Sequence, residues 1–189
     1  MKHQTIIKAN QSWFYIPWHE LWEYRDLLVN LVKRDLTAIY KQSILGPLWF
    51  VIAPLAMTIV FTVIFGNVAK IDTDGLPPFL FYMSSTVLWN YFQGCLNGVS
   101  GSLMANVGLF GKVYFPRLII PISIVISNLA QFFLNLLMFF AFYLFFMFFS
   151  TADITPTGWI TALPILVFHC AAVGCGVGLW LSALTVKYR

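Results

Sequence analysis

Residues 118–149 read LIIPISIVISNLAQFFLNLLMFFAFYLFFMFF, a run with no Asp, Glu, Lys, Arg or His. About 20 apolar residues in a helix cross a bilayer. At 1.5 Å per residue this stretch reaches roughly 45–50 Å, longer than the hydrocarbon core, so it must tilt or project beyond the membrane. A membrane β-strand is excluded, because the run is far too long and does not alternate.

Working outward, the charged residues cut the rest of the chain into similar lengths. None lies between Lys41 and Lys70, between Asp74 and Lys112, between Arg117 and Asp153, or between Asp153 and Lys187. The reading is an all-α integral membrane protein with four spans, near 44–67, 78–100, 118–149 and 158–184. Composition agrees: 60% of residues are hydrophobic and 10% charged, with a mean hydropathy of +0.81. Soluble domains carry about a quarter charged residues, and a chain this short cannot hide so much apolar surface in one core. Disorder needs the opposite composition. Cys95, Cys170 and Cys175 fit neither a disulfide framework nor a zinc pattern. Pro47 and Pro77–Pro78 stand at span starts, where a missing N–H is harmless. Pro54 and Pro164 fall inside spans and are expected to kink them.

Orientation follows from the basic residues. Lys2, Lys8, Arg25, Lys33, Arg34 and Lys41 precede the first span, Lys112 and Arg117 separate the second from the third, and Lys187 and Arg189 follow the fourth. Only Lys70 falls on the other side. The N-terminus and the 101–117 loop are therefore expected in the cytosol. Residues 1–40 form a cytosolic N-terminal segment and residues 41–189 the transmembrane domain. Met1–Ser12 contains no apolar core of a signal peptide. Within 18–40, the polar set Glu20, Glu23, Asp26, Asn30, Lys33, Arg34 and Thr37 opposes Trp18, Leu21, Leu28, Val32, Leu36 and Ile39. That spacing predicts an amphipathic helix, lying in the membrane interface in preference to docking on a protein core as an ordinary surface helix.

Several chemistries are disfavoured. His169 is the one acid–base side chain expected mid-span, and alone it makes no proton relay; it reads as a neutral imidazole hydrogen-bonded to a neighbouring helix. Gly108-Leu-Phe-Gly-Lys112-Val lacks the spacing and the Ser/Thr of a phosphate loop. No catalytic residue, metal site or nucleic-acid partner is expected. Neutral polar residues instead form two helical stripes: Thr86, Asn90, Gln93, Asn97 and Ser100, and then Ser123, Ser127, Gln131 and Asn135. They either bond between helices or line a hydrated conduit for a hydroxyl-rich substrate; the conduit candidates are Asn90, Gln93, Asn97, Gln131 and Asn135. Gly94 and Gly98, and Cys170, Gly174, Gly178 and Ser182, make small-residue faces for close packing. The phenylalanines of the outer half of the third span face mostly lipid.

The segment Arg34-Asp35-Leu36, Tyr40, Ser43, Leu45-Gly46, Trp49 and Pro54, read as R-D-L-x-x-x-Y-x-x-S-x-L-G-x-x-W-x-x-x-x-P, resembles the entry to the first span in type-2 ABC exporter permeases of lipid-linked polysaccharides. Gly111-Lys-Val-Tyr-Phe-Pro-Arg-Leu-Ile-Ile-Pro121 resembles that family's cytosolic loop before the third span, and Leu184-Thr-Val-Lys-Tyr-Arg189 the end of its fourth. The resemblance implies a homodimer in a bacterial plasma (inner) membrane. Each copy would be bound to a separate nucleotide-binding ATPase subunit that holds ATP and Mg, with no cofactor in this chain. The cargo implied is an O-antigen, capsule or teichoic-acid-type polymer on a polyprenyl-pyrophosphate lipid. The family has six spans, so its two C-terminal spans are expected to be lacking here.

Three groups of site residues follow. Gly108, Leu109, Phe110, Gly111, Lys112 and Val113 are expected to couple to the ATPase: glycines bracket two apolar residues that have no reason to face water uncovered, and the family's corresponding loop performs that role. Lys33, Arg34 and Lys41 are expected to meet anionic headgroups and the substrate pyrophosphate. Tyr40 and Trp49 are expected to stack sugars at the entrance, or to serve as interfacial aromatics. Two other classes compete: a non-transporting four-span scaffold or assembly factor, and an intramembrane transferase using Glu20, Glu23, Asp26 and Asp35.

Overall fold

The computed structural model describes residues 18–41, 48–110, 115–149 and 158–187. Among these residues every regular element is helical. Helix α1 (Trp18–Glu23) and helix α2 (Arg25–Lys41) form the amphipathic segment, broken at Tyr24. Helix α3 (Trp49–Phe61) widens into a π-helical stretch, Thr62–Val68, and α4 spans Pro78–Ala105. A short α5 (Val107–Phe110) precedes α6 (Ile119–Phe149). A 3₁₀ turn, Gly158–Ala162, opens α7 (Leu163–Lys187).

Three stretches, Val51–Val68, Ile119–Phe149 and Ile160–Val186, are long and apolar enough to cross a membrane. Helix α4 has the length, 28 residues, but carries more polar side chains. It is the central helix, touched along its length by α3, α6 and α7, while α6 and α7 scarcely touch each other. One face of α4 stays exposed along its length, through Phe81, Ser85, Trp89, Gln93 and Asn97, and it mixes apolar with polar side chains.

Contacts fix the directions. Along α4, Gly66 approaches Pro78 and Phe65 meets Tyr82, so α3 runs antiparallel to it. Phe79 lies against Phe142 and Phe146, Tyr91 against Phe132 and Gly98 against Ile124, so α6 is antiparallel too. Gly174 sits over Cys95 and Gly178 over Val99, so α7 runs parallel to α4. The four long helices therefore alternate in direction along the chain. This is an all-α membrane protein. Its proximal end carries α1, α2 and α5; its distal end carries the Asp72–Gly75 turn. There Lys70, Asp74 and Gly75 adopt φ of 50°, 50° and 79°, and the Asp74 N–H donates to Asp72 Oδ1 at 3.1 Å.

Three local expectations change. The second span does not end at Gly101–Ser102 but continues to Ala105. Ser102 is buried, and Asn106 closes the helix by donating Nδ2–H to the Ser102 carbonyl at 2.9 Å. Pro164 kinks nothing, because it is the second residue of α7, where no N–H is needed. The amphipathic helix, expected to lay its apolar face in the bilayer interface, instead turns part of that face onto protein. Leu31 is buried against Phe115, Ile119 and Ile120, with Leu21, Leu27 and Leu28 around it. The 31 residues of α6 reach about 46 Å at 1.5 Å each, against a hydrocarbon core near 30 Å. That surplus length supplies a protein surface for α2 to dock on.

Candidate functional site

Between α3, α4 and α6 lies a cavity of about 240 Å³, lined by Trp49, Pro54 and Met57 of α3, Asn90 of α4, and Gln131 and Asn135 of α6. The two polar stripes read from the sequence thus converge, but only in part. Hydroxyl side chains satisfy themselves on their own helix: Thr86 donates to the Tyr82 carbonyl at 2.7 Å, Ser123 to Ile120 at 2.8 Å, and Ser127 to Ser123 at 2.9 Å. Such short side chains reach back one turn. Amides can do the same, as Asn128 does by donating to the Ile124 carbonyl at 2.8 Å, but among the described residues no hydrogen bond engages the amides of Asn90, Gln131 and Asn135. Asn135 is 8% exposed, yet its amide faces the cavity rather than a helix neighbour. Each such amide carries two donors and an acceptor.

Trp49 stands in the first turn of α3 and is 54% exposed, giving the cavity an aromatic edge. Gln93 and Asn97 are exposed on α4 outside this lining. Pro54 and Met57 were not singled out as lining residues; Trp49, Ala53 and Met57 follow i, i+4 spacing with Pro54 beside them, a signal hidden in a helix apolar on every side. The lining holds no ionised group.

At the proximal end, Lys33 is exposed, whereas Arg34 is engaged. Its Nε lies 2.9 Å and its Nη2 2.8 Å from Asp35 Oδ1. Tyr40 and Lys41 belong to the last turn of α2, but their side chains lie outside the described residues. Gly108, Leu109 and Phe110 fall in α5; Gly111, Lys112 and Val113 lie outside the described residues. His169 is exposed on α7; among the described residues it has no partner, so the expected bond to a neighbouring helix is not formed there. Cys95 is buried, and all three cysteines are free. The small-residue faces pack closely: a Cβ on Gly98 would stand 2.6 Å from Ile124 Cγ2, and one on Gly178 2.8 Å from Val99 Cβ.

An alternating bundle of long apolar helices, with an open amide-lined groove between three of them, defines a multi-pass membrane protein. The chain belongs to the ABC-2 type transporter family, whose pattern matches residues 26–189. It is similar to the O-antigen export system permease protein RfbA of Myxococcus xanthus, 36% identical over 118 residues covering 62% of this chain and 44% of that protein. It is also similar to the O-antigen export system permease protein RfbA of Klebsiella pneumoniae, 27% identical over 165 residues covering 87% and 61%. A second Klebsiella pneumoniae RfbA is 27% identical over 164 residues, with the same coverage. The matches thus cover 44% to 61% of the length of these relatives.

Proposed function

We propose that this chain belongs to the permease of an ATP-driven exporter that moves lipid-linked polysaccharide out of the cytoplasm, the polymer being of O-antigen, capsule or teichoic-acid type. The observation that carries the reading is the cavity of about 240 Å³ with unengaged amides at Asn90, Gln131 and Asn135 and an aromatic edge at Trp49. Sugar hydroxyls both donate and accept, as do amides, and each neutral hydrogen bond is worth only about 0.5–1.5 kcal/mol net. Contacts of that strength hold a polymer loosely enough to pass. Trp49 offers a flat face for a pyranose ring. Membership of the ABC-2 type transporter family and similarity to proteins named as O-antigen export permeases support the same assignment.

In this reading the permease works as a homodimer in the bacterial inner membrane, with α1, α2 and α5 on the cytosolic side. It has no nucleotide site of its own; ATP and Mg are held by a separate ATPase subunit docked at Gly108–Val113, with Leu109 and Phe110 as its apolar contacts. Lys33 and Lys41 attract anionic headgroups and the substrate pyrophosphate, each worth on the order of 1 kcal/mol near an anionic surface. Tyr40 and Trp49 flank the entrance.

The test is complementation in a bacterium deleted for its own permease, with cell-surface polymer and ATPase co-purification measured together. Gln131→Leu with Asn135→Leu should cut surface polymer while the ATPase still co-purifies. Leu109→Asp with Phe110→Asp should release the ATPase from a permease that still inserts. A permease that binds no ATPase and restores no polymer would return the chain to the scaffold class.

A further inference from the structure

Three helices meet where α4 ends. Asn106 follows its last turn and is 8% exposed. Both ends of its amide are used: Nδ2 donates to the Ser102 carbonyl at 2.9 Å, and Oδ1 accepts from Arg34 Nη1 at 3.5 Å. Reversing the amide would turn its N–H groups on the guanidinium and its oxygen on a carbonyl, so the two partners fix its orientation. Arg34 is itself aimed by Asp35, which accepts from Nε and Nη2. Helix α2, which carries Arg34, is anchored on the start of α6 through Leu31, Phe115, Ile119 and Ile120. A second feature points the same way. The last turn of α4 has no basic residue of its own, although the free carbonyls of a helix C-terminus favour a nearby cation. Arg34 supplies that cation from another helix, 72 positions away in the chain.

We propose that Arg34 is a positioning residue: its contact with Asn106 is a strut that makes α2, the start of α6 and the α4–α5 junction move as one body. Helix α5 begins one residue beyond Asn106. A displacement applied at 107–113 therefore reaches α2 and the proximal end of α6 directly, instead of being absorbed by fraying of the last turn of α4. The consequence for transport rests on the ATPase docking proposed above; the strut does not. The Arg34 side chain makes these contacts while half exposed, so the strut lies at the surface of the proximal end.

The experiment uses the full-length permease with its ATPase in lipid vesicles and makes two measurements. Backbone hydrogen exchange at 103–110 is compared for the unsubstituted protein, Arg34→Gln, Asn106→Leu and the pair together. Arg34→Gln should speed exchange there about five- to tenfold; Asn106→Leu, which also removes the bond to the Ser102 carbonyl, should speed it further, and the pair should add little to Asn106→Leu alone, because the contact with Arg34 is already gone. Arg34→Lys, which keeps the charge and a donor, should retain much of the protection. Polymer moved per ATP hydrolysed should fall in Arg34→Gln while the ATPase still co-purifies, a split that a folding defect would not produce. Unchanged exchange, or losses that simply sum, would overturn the strut. Should exchange respond while polymer per ATP holds, the coupling role would be overturned. Should the unsubstituted permease retain no ATPase, the docking reading fails alone and the exchange comparison still decides the strut.

Discussion

Alanine at Gly178 adds one methyl group at the tightest point between α4 and α7. A Cβ there would stand 2.8 Å from Val99 Cβ, 3.0 Å from Val99 Cγ1 and 3.1 Å from the Leu96 carbonyl oxygen. Val99 Cβ and the Leu96 oxygen are fixed to the α4 backbone, so no side-chain rotation relieves the overlap. The helices must separate by roughly 1 Å to regain ordinary carbon contacts near 3.5–4.0 Å. Overpacking of this kind costs about 1–3 kcal/mol, set against a helix-propensity gain of about 0.8–1 kcal/mol for replacing glycine. Gly176 provides the internal control. It lies two residues away on the same helix, and a Cβ there would meet nothing within 4 Å. Gly176→Ala therefore takes the propensity gain without the clash. The two alanine variants should differ by about 1–3 kcal/mol, with Gly178→Ala the less stable. At this chain length each kcal/mol moves Tm by about 2–4 °C. Thermal unfolding of the purified protein in detergent, followed by tryptophan fluorescence, reads the difference. Gly174→Ala, whose Cβ would be 3.1 Å from Cys95 Cβ, should fall between them. If Gly178→Ala melts with or above Gly176→Ala, the close approach of α4 and α7 is wrong.

Other outcomes can be checked alongside it. Leu31→Ala should cost about 2 kcal/mol or more at a buried contact and loosen α2 from α6; protease sensitivity of the α1–α2 segment in membrane vesicles would rise, and an unchanged digest would refute the docking of α2. Tyr40→Ala with Trp49→Ala should reduce polymer export more than membrane insertion, and equal losses in both assays would remove their role at the entrance. Neutralising Lys33 and Lys41 together should weaken binding to anionic vesicles by about 2 kcal/mol, from about 1 kcal/mol per charge, with the loss shrinking as salt rises; vesicle sedimentation at two ionic strengths measures both.

The spans were legible because charge and hydropathy act over whole segments. The 118–149 run and the gaps between charges place three helices within a few residues of α3, α6 and α7. Helix ends were less so. Gly101 and Ser102 look like a stop, yet the helix continues because Ser102 is buried and Asn106 caps the turn from beyond it; tertiary packing overrides a local breaker. Of the five conduit candidates in the polar stripes, Asn90, Gln131 and Asn135 line one cavity and Gln93 and Asn97 do not. A sequence spaces Ser, Thr, Asn and Gln alike, but side chains that bond the preceding turn, as Thr86, Ser123, Ser127 and Asn128 do, are consumed there, and which amides face the cavity is set by how the helices pack. The docking of α2 was hidden for another reason. An apolar stripe on a helix does not say whether lipid or protein will cover it, and nothing local in 18–40 reveals that α6 extends far enough to do so. The contact between Arg34 and Asn106 is long-range in the chain, so no local pattern marks it.

The neutrality of the cavity bears on what can pass. A lining charge would discriminate strongly by sign, since an unpaired charge in a low-dielectric site is costly, and it would hold an oppositely charged sugar firmly. Amides do neither. On the proposed reading, Asn90, Gln131 and Asn135 exchange hydrogen bonds with whichever hydroxyls arrive, so successive units of a polymer meet nearly the same free energy at each step. Such a surface moves nothing uphill unaided: with no steep binding difference along the path, directionality must come from a change in helix arrangement. The places where that change can enter are the proximal ends of the helices bordering the cavity. Those of α4 and α6 are linked there through Asn106, Arg34 and α2. Selectivity for the polymer then resides in the lipid-linked headgroup met at the entrance by Lys33 and Trp49, and the cavity itself is expected to tolerate changes in sugar identity. Exchanging the glycosyltransferases that build the repeat while keeping the lipid carrier should leave export intact, whereas strict dependence on one repeat would place selectivity in the amide lining after all.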